Sequence, residues 1–225
     1  MFESSNRIKR CTSTRPLKVL SWFGLLCIAL NISGLQAEGD AAAGKALFPV
    51  CTACHGPQGQ GNAGMQGPKI AGATSWYFIQ QMKLFQQGAR GGVPGDVFGA
   101  NMANIAKGPQ FTNDKALADL AAYVATLPDT PAPITIQGDA QNGENLYRVC
   151  AACHGQAGEG NQQMSGPRLA GMNDWYLVSQ LKKYKANQRG YHPADTGGVS
   201  MKPMANTLPD DKAINDVVAY INTLR

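Results

Sequence analysis

The feature that most constrains this 225-residue chain is that its second half repeats its first. At an offset of 99, without a gap from Gly39/Gly138 to Ala106/Ala205, the matches include Gly44/Gly143, His55/His154, Pro68/Pro167, Gly72/Gly171, Gln81/Gln180, Asp96/Asp195 and Met102/Met201. After Ala106 the first copy carries two extra residues, so Asp114/Asp211 and Tyr123/Tyr220 match at an offset of 97. A duplication on this scale fixes the architecture as two small domains. They are joined by Pro128-Asp129-Thr130-Pro131-Ala132-Pro133, which breaks helices and favours extended backbone. The expected division is a leader at 1–37, a first domain at 38–130 and a second at 131–225.

The leader has a basic start (Arg7, Lys9, Arg10, Arg15, Lys18), an apolar run from Val19 to Leu30 and a cleavable Leu35-Gln36-Ala37. Such a segment predicts export and cleavage; left uncleaved, it would tether the protein to the membrane. Five of the 20 basic and one of the 15 acidic residues lie in it, so the remainder carries a net charge of +1. A nearly neutral chain gives no support to nucleic-acid binding.

Within each copy the pattern is helical. Gly39–Val50 reads as a short helix ending at a cysteine motif, and Trp76–Gln87 as a second, capped by Thr74 or Ser75 and stopped by Gly88. Asp114–Leu127 is a third, with Leu117, Leu120, Ala121 and Val124 on one face. The segments between them are rich in glycine and proline, of which the chain has 26 and 13, and none alternates as a strand. The expected class is all-α.

Outside the leader only four cysteines remain, in Cys51-Thr52-Ala53-Cys54-His55 and Cys150-Ala151-Ala152-Cys153-His154. C-x-x-C-H is the c-type haem attachment pattern: two thiols bond the porphyrin covalently and the adjacent histidine ligates iron. A zinc knuckle would need two more ligands per site, and a thioredoxin-like pair should sit beside βαβ patterning, which is missing. Two covalently bound haem c groups are therefore expected, and they would staple domains too small to be secure on their cores alone. With a single ligand per iron supplied by the motif, the other must recur in both copies. Met102 and Met201 each lie 47 residues past their histidine, a distance suited to a loop over the opposite haem face. Met65 and Met164 also recur, but only 10 residues past the histidine, and read as packing; Met204 faces Ile105 in the repeat and is the weaker rival. His192, matched by Val93, reads as a loop histidine.

Three further groups stand out. Pro68 and Pro167 sit where a carbonyl could accept the histidine ring N–H. Trp76/Trp175, Tyr77/Tyr176 and Arg90/Arg189 could meet haem propionates or, for the aromatics, fill core. Lys182, Lys183, Lys185 and Arg189 form a basic run in the second copy, either a solvated face or a docking patch for an acidic redox partner.

The two C-x-x-C-H copies, the Gly-Pro-x-x-Ala-Gly loops, Met201-Lys202-Pro203-Met204-Ala205 and the endings Ala-Tyr-Val-Ala-Thr-Leu and Ala-Tyr-Ile-Asn-Thr-Leu resemble the dihaem cytochrome c4 family over nearly the whole chain past the leader. The resemblance implies two class I cytochrome c domains related by a pseudo-twofold axis, with propionates facing each other across the interface. It implies ligation by His55 with Met102 and His154 with Met201. It also implies periplasmic electron transfer from a quinol-oxidising bc-type complex toward a terminal oxidase, rather than catalysis. One departure stands in the first copy, where Met102-Ala103-Asn104-Ile105-Ala106 lacks the proline of the family pattern and a two-residue insertion follows.

Overall fold

In a computed structural model that describes residues 39–225, each copy builds the same five helices. The first copy has α1 (Ala41–Leu47), α2 (Pro49–His55), α3 (Ser75–Gln86), α4 (Val97–Ala106) and α5 (Asp114–Ala125). The second has α6 (Ala140–Tyr147), α7 (Ala151–His154), α8 (Asp174–Lys185), α9 (Thr196–Asn206) and α10 (Asp211–Ile221). The described residues hold no strand beyond the isolated bridges Asn62–Gly67 and Asn161–Gly166. The leader lies outside the described residues.

Capping explains the boundaries. Asp40 and Asp139 accept the free N–H groups that open α1 and α6, and Asn113 and Asp210 do the same for α5 and α10. Gly88 takes φ of 71° just past α3, a left-handed stop that a side chain would resist. Thr74 does occupy the N-cap of α3, but its side chain makes no capping bond. The expected single helix over Gly39–Val50 is in fact two: α1 ends at Leu47, and Pro49 takes the first position of α2, where no intrahelical N–H is needed. The cysteine motif is thereby helical rather than a terminus.

Packing follows from one crossing used twice. α1 lies against α5 and α6 against α10, close enough that a Cβ on Gly44 or Gly143 would collide with the carbonyl of Asp119 or Asp216. The same aspartates accept the backbone N–H of Asp40 (2.7 Å) and Asp139 (2.9 Å), tying each crossing together. Beneath it the apolar face of α5, Leu117, Leu120, Ala121 and Val124, meets Phe48, Phe78, Met82, Phe85 and Phe111. Its counterpart uses Ile214, Val217, Val218 and Ile221 against Tyr147, Leu177 and Leu208. Burying a side chain of this size contributes roughly 1.5–3 kcal/mol. The first-copy insertion becomes the turn Pro109–Phe111, held by Gln86 Nε2, which donates to the carbonyls of Ala106 (3.0 Å) and Phe111 (2.7 Å).

Candidate functional site

Helical geometry brings the motif together. Within α2, Cys51, Cys54 and His55 stand at i, i+3 and i+4, so all three project from one side. α7 repeats this with Cys150 at its N-cap, where the His154 N–H reaches the Cys150 carbonyl at 2.9 Å. The following loop returns under the helix at Gly67 and Gly166, where a Cβ would strike the carbonyl of Cys54 or Cys153. That approach sets Pro68 O 2.6 Å from His55 Nδ1 and Pro167 O 2.7 Å from His154 Nδ1. A carbonyl only accepts, so in both rings Nδ1 carries the proton and Nε2 keeps its lone pair. Burial lowers both histidine pKa values, which the proline carbonyls oppose, so the rings are held neutral as ligands must be. Burial, with a smaller contribution from the neighbouring Cys54, pushes the Cys51 thiol up to about 11; burial also raises Cys150 to about 11.

Each set faces a cavity. The first, about 320 Å³, is lined by Cys51, Cys54, His55 and Met102; the second, about 550 Å³, by Cys150, Cys153, His154 and Met201. The methionines are not on loops, as the spacing suggested, but on helices α4 and α9. These helices form because Asp96 and Asp195 cap them, accepting the N–H of Gly99 (3.0 Å) and Gly198 (2.9 Å), and in α9 the ladder continues past Pro203. Met204 lines the second cavity beside Met201, as Ile105 lines the first beside Met102. Met65 and Met164 stand at the cavity rims, 50% and 53% exposed in the protein alone. His192 is a half-buried loop residue accepting from Ala194 N at 3.2 Å, and it lines neither cavity.

Between the cavities lies a polar ring. Arg90 donates to Gln81 Oε1 (2.6 Å) and to Gln180 Oε1 (3.1 Å), while Arg189 donates to Gln180 Oε1 (3.1 Å) and Gln81 Oε1 (3.4 Å). Arg90 also donates to Tyr176 Oη at 3.0 Å. Each guanidinium stacks on a ring of its own copy, Phe85 or Tyr184, 4.5 Å from the centroid. Among the described residues neither arginine pairs with a carboxylate, and Arg189 Nε has no partner although it is buried. Two adjacent buried cations lining two cavities call for anions from the occupants. Trp175 lines the first cavity, whereas Trp76 lines neither.

The basic run is neither a solvated face nor a free patch. Arg189 is buried in the ring, Lys183 donates to the buried Asp96 at 2.6 Å, Lys185 donates to the Leu208 carbonyl, and only Lys182, paired with Asp211, is exposed. Sequence reasoning missed a second cross-copy cluster, in which Lys69 and Arg168 both donate to the linker carboxylate of Asp129. Its signal was present, since Lys69 and Arg168 are matched cations after matched prolines.

The donor set suits haem rather than zinc. Thiols held protonated can add across vinyl groups, a neutral imidazole and a thioether face each cavity, and the arginines await carboxylates. No group of three or more His, Cys, Asp or Glu side chains placed to hold a metal ion occurs among the described residues. Comparison with known proteins agrees. The Cytochrome c family model matches twice, over residues 41–128 and 140–225. Cytochrome c4 of Azotobacter vinelandii is 34% identical over 209 residues, covering 88% of this chain and 96% of that protein. A thiosulfate dehydrogenase electron acceptor of Thiomonas intermedia is 30% identical over 190 residues, 80% of this chain and 79% of that one. The crystal structure of reduced recombinant cytochrome c4 from Pseudomonas stutzeri superimposes with a TM-score of 0.65 at 29% identity, covering 83% of this chain and all of that one. Tandem haem-attachment helices on an all-α frame, matched over nearly their full length by such relatives, make this chain a member of the cytochrome c4 family of dihaem c-type electron-transfer cytochromes, with two covalently bound haem c groups.

Proposed function

We propose that the chain is a periplasmic shuttle of single electrons between respiratory partners, accepting from a quinol-oxidising bc-type complex and donating toward a terminal oxidase. Haem c, when bound, supplies one-electron exchange at iron. The protein does the rest. Cys51 and Cys54, and Cys150 and Cys153, anchor the two porphyrins by thioether bonds. His55 with Met102, and His154 with Met201, would hold the two irons as ligand pairs, a set that favours electron transfer over binding of small molecules. Arg90 and Arg189, buried where the two cavities approach each other, would bond the carboxylates of the porphyrins. The leader at 1–37 directs export, and no helix among the described residues is long and apolar enough to cross a membrane.

The observation that carries this reading is the matched pair of cavities, each lined by two cysteines, a histidine with Nε2 free and a methionine on a capped helix. Absorption spectroscopy of the ferric protein tests it. The near-infrared methionine-to-iron band is expected at an intensity accounting for both haems; half that intensity would sink one of the two assignments. A second reading, an electron-accepting partner of a periplasmic oxidoreductase, is favoured by the Thiomonas relative named above. Reduction rates with a bc-type complex and with a thiosulfate-oxidising enzyme as donors separate the two.

A further inference from the structure

Lys69 and Arg168 occupy equivalent places, each directly after the proline whose carbonyl takes the histidine Nδ1 proton. The Lys69 side chain is 2% exposed, and its ammonium donates to Asp129 Oδ1 at 2.6 Å and to the Gly171 carbonyl at 3.2 Å. Arg168 Nη1 donates to the other oxygen, Asp129 Oδ2. One linker carboxylate is therefore held by both copies, through the side chains of the two residues that follow the histidine-bonded prolines. Burial alone would raise the Asp129 pKa; the bonds from Lys69 and Arg168 outweigh it and hold the group below the ordinary carboxylate value, hence ionised. The first site has one more support. The peptide unit whose carbonyl accepts from His55 donates its own N–H, that of Lys69, to Asn173 Oδ1 of the second copy at 2.5 Å. Thr74 stands at the matching position of the first copy, so nothing equivalent is built for Arg168.

We propose that Asp129 is a positioning residue shared by both iron sites: clamped between Lys69 and Arg168, it fixes the two proline carbonyls that orient His55 and His154, and so tunes both haems together. The proposal rests on the reading of His55 and His154 as iron ligands. A carbonyl held firmly against Nδ1–H makes the imidazole a stronger donor, and a stronger donor favours ferric over ferrous iron and lowers the potential. Loosening the clamp raises it.

The test is the pair of reduction potentials of the purified holoprotein, assigned haem by haem from the NMR signals of the ligand methionine methyl groups. In Asp129→Asn both potentials are expected to rise, the second more than the first because Asn173 still holds the Lys69 peptide; Asp129→Glu is expected to restore them toward wild type. Movement of one potential alone, or of neither, overturns the proposal. Loss of a negative charge would also raise both, so Arg168→Gln decides the cause. Removing that cation by charge alone lowers the second potential, whereas losing its grip on Asp129 raises it, and a fall overturns the proposal. Arg168 is partly exposed, at 33%, so this variant remains available if Asp129→Asn fails to fold. The hyperfine-shifted imidazole signals of His55 and His154, recorded by NMR on the same ferric samples, separate the two failures. Their absence in the wild type defeats the histidine assignment, while their presence throughout with unmoved potentials defeats the clamp alone.

Discussion

The two copies agree at their cavities and in the ring of arginines and glutamines between them, and differ along the rest of the contact between the halves. Cysteines, histidines, proline carbonyls, helix-capping aspartates and the crossing glycines recur with nearly the same geometry. At the interface, Lys183 stands where the first copy has the buried Leu84, and Tyr191 where it has Gly92. The consequences are one-directional. Lys183 neutralises Asp96, but among the described residues Asp195 has no cation at bonding distance and one carboxylate oxygen without a partner. The Tyr191 hydroxyl donates to the Gly88 carbonyl (2.7 Å) and accepts from Gly92 N (3.1 Å), filling space that the absent side chain of its own counterpart leaves. The lesson is that a cofactor constrains both halves of a duplication equally, whereas a contact between the halves needs each pair of residues only once. Symmetry then survives in the sites and in the ring that lines them, and decays in the rest of the seam.

That comparison can be broken most sharply at the methionines. Met102→Ala and Met201→Ala should each open one haem to carbon monoxide and remove half of the methionine-to-iron band, leaving the other copy untouched; retention of the full band in either variant would mean another ligand. Next in size are Gly44→Val and Gly143→Val, which force a side chain into the Asp119 or Asp216 carbonyl. Each should cost about 1–3 kcal/mol by thermal unfolding, and near-equal losses would show that the crossing is equivalent in both copies. Lys183→Leu makes the second copy resemble the first and strands the Asp96 carboxylate. Its cost should be roughly 2 kcal/mol, less than the 3–5 kcal/mol for a fully buried pair, because Lys183 is 19% exposed. The smallest effect concerns acid. Lys212, Asn142 and the Asp139 N–H hold Asp216 down at about 2 against an ordinary 3.8. Its stabilisation is therefore fully present above pH 3.8 and is lost as pH falls toward 2. Asp216→Asn should flatten that part of the acid-unfolding curve. Asp119→Asn should flatten it less, since Ala43 replaces Asn142 there.

Much of this was legible in the sequence. The repeat and the two motifs gave the architecture and the cofactor, and the apolar spacing of Leu117, Leu120 and Val124 located α5 to within two residues of its end. The histidine-to-proline bond was also readable, because a proline carbonyl after a tight glycine turn has few other places to go. What was not legible involved residues distant in sequence. A spacing of 47 residues limits how far Met102 can reach but not whether it sits on a loop or a helix; the Asp96 cap decided that. Met65 and Met164 looked like core because methionine is apolar, whereas the fold places them at the rims of the two cavities. The lysines of α8 looked like surface because lysine usually is, and only the arrival of the other copy's Asp96 draws one of them inward.

The proline-rich linker has a thermodynamic consequence of its own. Held by Asp129 at one end and by the Ala132 N–H to Gly171 carbonyl bond (3.0 Å) further on, it makes docking of the two halves an event within one molecule. A short tether confines its ends at an effective concentration on the order of millimolar, so a contact that would dissociate near 10 micromolar between separate chains is closed about 99% of the time. An obligate dimer must cover its interface with apolar side chains to survive dilution. Tethering relaxes that demand, and the ring of arginines and glutamines occupies ground that leucines would otherwise have to hold.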